Sequence, residues 1–152
     1  MPTPEERLAE LGLELPPVAA PLAAYIPALR SGSLVFTSGQ LPTIAGELVA
    51  TGLVGREVSV DVAADCARRC ILNALAAVRE VVGELSAVRR VVKVVGFVAS
   101  ADGFYDQPQV VNGASELLGQ IFGDAGKHAR SAVGVAALPK NAPVEIELIV
   151  EV

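Results

Sequence analysis

The last nine residues, 144–152, alternate without a break. Val144, Ile146, Leu148 and Val150 fall on one side; Glu145, Glu147 and Glu151 fall on the other. A two-residue period of this kind is a strand with one dry face, and it commits the chain to a sheet. A second, small and apolar strand is expected over residues 131–136. Between them runs Leu138-Pro139-Lys140-Asn141-Ala142-Pro143, whose two prolines cannot donate to a central ladder. Arg130 then stands at the mouth of one strand, and carboxylates line a face of the strand expected beside it. A guanidinium that grips a small carboxylate next to a Glu that steers a water is a hydrolytic arrangement. The bland alternative is an edge strand that carries charge for solubility.

Upstream the apolar period changes to that of a helix. Val60, Ala63, Ala64, Ala67, Ile71, Ala74, Leu75, Val78 and Val82 recur at helical spacing, with Ser59 as cap and Gly83 as stop. A second helix is expected from Asp106-Gln107-Pro108 to Gly123, with Val110, Val111, Ala114, Leu117, Leu118, Ile121 and Phe122 on one face. Between the helices, residues 88–100 read as a strand whose second half is apolar on both faces. One face would meet a helix and the other a partner subunit. Residues 25–38 read as a hairpin around Arg30-Ser31-Gly32, and the segment with Gly46, Gly52 and Gly55 as a polar loop without phosphate-loop spacing. Residues 3–12 form a short capped helix, and a Pro-rich connector follows. The expected division is residues 1–21 as an appendage and 22–152 as one α+β domain, a mixed sheet with two helices on one face.

The core must be aliphatic, because 52% of the residues are hydrophobic and only 4% aromatic. A net charge of -5 and the lack of a basic run argue against a nucleic-acid surface. Arg89, Arg90 and Lys93 interrupt the most apolar stretch, so no membrane span is expected. The acidic, amphipathic start does not resemble a secretory signal, which makes a cytoplasmic protein the default. Cys66 and Cys70, with no His nearby, make a poor metal site and read as small buried hydrophobes.

Three segments in register carry a resemblance: Leu34-Val-Phe-Thr-Ser-Gly-Gln-Leu-Pro42, Arg130-Ser-Ala-Val133, and Leu138-Pro-Lys140 followed by Val144-Glu-Ile-Glu147. Together they resemble the RidA family, also called YjgF/YER057c/UK114, over residues 22–152. The segments around Asn112 and His128 look like a divergent branch of it. The resemblance implies a chorismate-mutase-like fold, a homotrimer with active sites between subunits, and no metal or organic cofactor. It also implies hydrolysis of reactive 2-imino acids, or their enamine tautomers, to 2-keto acids and ammonia. By the same resemblance Arg130 would hold the substrate carboxylate and Glu145 would position or activate water. Tyr25, Gly39 and Asn112 would complete the substrate site. His128, two residues before Arg130, and Ser131, just after it, are candidate lining residues. Ala132 stands where many members have a cysteine, so no thiol chemistry carries over. Gly134 and Ala137 replace a Glu and an Arg common nearby.

The competing functions are a non-catalytic protein that binds a small carboxylate through the same Arg, an endoribonuclease as a label of the family suggests, and a purely structural trimer. The acidic charge and the lack of a basic, base-stacking groove count against the ribonuclease.

Overall fold

The computed structural model describes all residues, Met1–Val152. The long apolar period becomes helix α2 (Val60–Val82), with the bounds its caps dictate. Ser59 Oγ accepts from the Val62 amide at 3.2 Å, and Gly83 takes φ 90° to end the helix. Helix α3 (Gln107–Phe122) carries Pro108 in its first turn and stops at Gly123; Asp106 makes no side-chain cap. Ile71, Leu75 and Val78 of α2 and Val111, Leu117 and Ile121 of α3 are fully buried. The two helices come close at Gly113, where a Cβ would stand 2.8 Å from the Ala64 carbonyl carbon.

Five strands form one mixed sheet. Its order is β1 (Ala28–Ser31), β2 (Leu34–Thr37), β7 (Val144–Glu151), β5 (Arg90–Ala99), β6 (Ala129–Val135). Only the β5–β6 pair is parallel. The polar loop holds a separate small ribbon of β3 (Thr43–Ile44) and β4 (Glu47–Leu48). Along β7 the alternation of the sequence reappears in the structure. Val144, Ile146, Leu148 and Val150 are buried, and the residues between them are half-exposed.

One expectation fails at the centre of the sheet. Strands β6 and β7 follow each other in sequence but do not pair, because β5 lies between them. The link turns through Pro139–Asn141, where Lys140 and Asn141 adopt positive φ, and so crosses the end of β5 to its far edge. The glutamates of β7 therefore stand on a central strand, and solubility of an edge does not account for them.

Both long helices pack on one face of the sheet. A bulge between Val91 and Lys93 resets the alternation of β5, so that Val91 and Val94 both point into the core. The opposite face carries Phe36, Ile149, Val95, Phe97 and Val133, together with Glu145 and Glu147. Phe36 and Val133 are exposed there. The two-sided apolar character expected of β5 is thus present, with one side dry and the other only half-covered.

The N-terminal helix α1 (Pro4–Glu10) is closed by a reciprocal cap. Thr3 Oγ1 accepts from the Glu6 amide, and the Glu6 carboxylate accepts from the Thr3 amide. Glu5 Oε1 accepts from the amides of Leu85 and Ser86 at 2.6 and 3.3 Å, which ties α1 to the turn before β5. Leu8 is buried, and Leu13, Leu15 and Val18 of the connector pack on the core instead of running free. Cys66 and Cys70 are unpaired and buried. Burial raises both thiol pKa values, that of Cys66 to about 11, so both stay protonated fillers of the core.

Candidate functional site

Arg130 lies on β6 opposite Val94 and points to the helix side, where α3 receives it. Its Nη1 donates to Asn112 Oδ1 at 2.8 Å and to Ser115 Oγ at 3.1 Å. Nη2 reaches only the Pro108 carbonyl, at 3.5 Å, and Nε has no partner in the chain. With Nη1 fully engaged, the edge formed by Nε and Nη2 is left for a ligand. Two parallel donors on that edge match a carboxylate.

Ser115 is itself held in place. His128 Nδ1 is 2.6 Å from the Gly126 carbonyl, which can only accept, so Nδ1 carries the hydrogen. Nε2 lies 2.9 Å from Ser115 Oγ, which already accepts from Arg130, so the hydroxyl hydrogen is free to point at Nε2. A directed chain runs from Arg130 through Ser115 and His128 to the backbone, beside a polar hollow of 360 Å3. Asn112 and Ser115 are three residues apart on α3 and so share its face. Ser115 was not singled out by the sequence reading, and this spacing from Asn112 was the available signal.

Glu145 stands elsewhere. It pairs with Phe97 of β5 and points to the face away from the helices. Beside it, five residues from Phe36 to Gln40 run against four from Ile149 to Ile146, so the chain bulges by one residue. The bulge presses Gly39 against the glutamate; a Cβ on Gly39 would meet the Oε2 atom and stand 2.8 Å from Cδ. Gly39 therefore leaves room for this carboxylate. Burial, and then the charge of Glu147, raise the Glu145 pKa above the ordinary carboxylate value. Glu145, Gly39 and Tyr25 share a chamber of 1310 Å3 with the connector and with Arg69 and Asn73 of α2. The Tyr25 hydroxyl accepts from the Leu22 amide at 3.1 Å, which fixes the ring at the chamber wall.

The residues singled out from sequence thus form two groups. Arg130, Asn112 and His128 lie together, with Ser115. Tyr25, Gly39 and Glu145 lie together, with Arg69. Ser131 joins neither cluster by contact; it is exposed on the side opposite Arg130, in register with Val95. Arg130 and Glu145 were expected on adjacent strands, and they are instead a strand apart on opposite faces. Side chains alternate between faces along each strand, so no rotamer change within one chain brings the two together.

A family model described as "YjgF/chorismate_mutase-like, putative endoribonuclease" matches residues 5–152. The chain belongs to this family. The match takes in the connector and most of α1, beyond the span of residues 22–152 that the sequence motifs cover. The chain is similar to protein TCP17 of Trypanosoma cruzi, at 41% identity over 95% of this chain and 91% of that one. The crystal structure of Atu1372 from Agrobacterium tumefaciens superposes with a TM-score of 0.91. It is 48% identical and covers 99% of this chain and 92% of its own. A more distant structure, E. coli TdcF with bound serine, has 29% identity, a TM-score of 0.61, and coverage of 91% and 94%. The α+β, chorismate-mutase-like architecture follows from this membership and from the sheet described above.

Proposed function

We propose that the protein hydrolyses small 2-imino acids, or their enamine tautomers, to 2-keto acids and ammonia in a cleft that two copies of the chain complete. The observation that carries this reading is the separation of two complementary half-sites in one chain. One offers a fixed guanidinium with an unused donor edge, the other a partly desolvated carboxylate beside a glycine. A head-to-tail ring sets the first half of one copy against the second half of the next. The resemblance to the RidA family supports a ring of three copies. The serine seen in E. coli TdcF supports a ligand of amino-acid type.

In such a cleft Arg130 takes the substrate carboxylate, and Asn112 and Ser115 keep the guanidinium from turning. The protonated imine is already electrophilic at C2. Glu145 accepts a proton from water as its oxygen bonds to that carbon, giving a carbinolamine. The proton returns to the nitrogen, the C–N bond breaks, and ammonia leaves. The hydroxyl proton passes to Glu145 or solvent as the ketone forms. A carboxylate of raised pKa is a stronger base than an ordinary one, which suits the first step.

The test is ammonia release from freshly generated 2-iminobutanoate and 2-aminoacrylate. Wild type should exceed the rate in buffer, and Arg130→Ala and Glu145→Gln should each lose at least about 100-fold of that gain. Binding without catalysis would leave Glu145→Gln indistinguishable from wild type, and no acceleration by wild type would remove the hydrolase reading.

A further inference from the structure

Arg69 lines the same chamber as Glu145, and the chemistry above leaves it idle. Its Nε donates to the Thr43 carbonyl at 2.7 Å, which sets the plane of the guanidinium, while Nη1 and Nη2 have no partner in the chain. The ion pairs of the molecule are Arg56–Glu57 and Lys127–Asp124, so no carboxylate neutralises Arg69. Burial lowers its pKa without a compensating acid. Its neighbour on the helix face, Asn73, is buried and spends its amide on the carbonyls of Leu41 and Thr43, so it fixes the loop that fixes Arg69. The lining also includes apolar side chains of the N-terminal connector, Leu15, Val18 and Leu22. At 1310 Å3 the space exceeds the roughly 300–1000 Å3 that encloses a drug-sized ligand. In a single chain, a four-carbon imino acid occupies only a small part of that space.

We propose that Arg69 is a second anion subsite, and that the ligand of this chamber carries two anionic groups joined by a short hydrocarbon stretch. One group is held by Arg130 of the adjoining copy and the other by the free Nη1 and Nη2 donors of Arg69. The hydrocarbon lies along Leu15, Val18 and Leu22, so the connector sets the length accepted. The Arg130 end rests on the two-copy cleft; the Arg69 end does not. A carboxylate and a phosphate-type group present the same oxygen chemistry to Arg69.

Calorimetric titration of the full chain with butanoate, glutarate, adipate and 3-phosphonopropionate separates these cases. A dianion should bind wild type at least ten-fold more tightly than butanoate. Arg69→Gln should bring that ratio to within two-fold, and Arg69→Lys, which keeps the charge but not the fork, should give an intermediate ratio. The tighter of the dicarboxylates and the phosphonate names the group that Arg69 takes. Equal affinity of butanoate and all dianions for wild type overturns the subsite, and so does a preference that survives in folded Arg69→Gln or is undiminished in Arg69→Lys. Arg130→Ala tells the two readings apart. If it weakens no ligand while Arg69→Gln abolishes the preference, the shared cleft fails and the subsite stands. If Arg130→Ala weakens every ligand while Arg69→Gln leaves the preference intact, only the subsite fails.

Discussion

At the scale of single residues, Glu145 is a candidate catalytic group whose surroundings raise its pKa. Burial and Glu147 favour its protonated form in the folded chain. The folded pKa is therefore above the unfolded one, and the stability this group contributes is present at acid pH and lost as pH rises through the folded pKa. Glu145→Gln removes that loss. Thermal unfolding should show the variant matching wild type near pH 4 and exceeding it by roughly 2 °C at pH 7. The same shift fixes the acid limb of activity. kcat/KM should fall with a midpoint above the ordinary glutamate value of 4.5. Glu147→Gln, which removes the like charge, should move that midpoint down. A rate profile unchanged in Glu147→Gln would detach Glu145 from the limb. Sequence exposes the alternation that aims both glutamates to one face; it does not expose the bulge at Ser38–Gly39 that crowds one of them.

At the scale of elements, the contact between α3 and β6 decides how firmly Arg130 is held. Ser115→Ala should weaken carboxylate binding by about 3- to 10-fold, the worth of one ordinary hydrogen bond, because the serine supports Arg130 and does not itself touch the ligand. His128→Ala acts through the same hydroxyl, so the double variant should cost no more than the larger single loss. Titration with a small carboxylate measures both, and additive losses would mean that His128 works by another route. The packing of α3 on α2 makes a second, independent prediction. Gly113→Ala drives a Cβ into the Ala64 backbone, which cannot step aside, and should cost about 2 kcal/mol and roughly 5 °C in Tm. Gly119→Ala, on the same helix with nothing within 4 Å, should be neutral or slightly stabilising.

At the scale of the whole molecule, the two half-sites on opposite faces call for a second copy. The half-covered apolar face with Phe36, Phe97 and Val133 is suited to receive one. Mixed oligomers test this directly. Arg130→Ala and Glu145→Gln subunits, each inactive alone, should regain activity when co-assembled, because some clefts then combine an intact Arg130 with an intact Glu145. For equal amounts mixed at random, about one quarter of the clefts are whole. No recovery in assemblies shown by mass to be mixed would return the site to a single chain. Light scattering that finds a monomer at micromolar concentration would do the same.

The elements and their faces are written in the order of residues along the chain. Helix bounds at Ser59 and Gly83, the cap at Thr3 and the dry side of β7 all follow from local chemistry repeated at a fixed period. The three motifs in register also carried the family, and with it the α+β architecture. Adjacency, by contrast, is set by folding. Two strands joined by a short loop look like neighbours in sequence, yet the positive-φ turn at Lys140 and Asn141 carries the chain past β5. That one crossing parts Arg130 from Glu145. Likewise, Ser115 and Arg69 read as ordinary polar helix residues until their partners, His128 and Arg130 in one case and Thr43 in the other, are brought to them from distant parts of the chain. Periodicity is local and survives in a linear text. Pairing between distant segments depends on which buried surfaces fit, and only the folded chain expresses it.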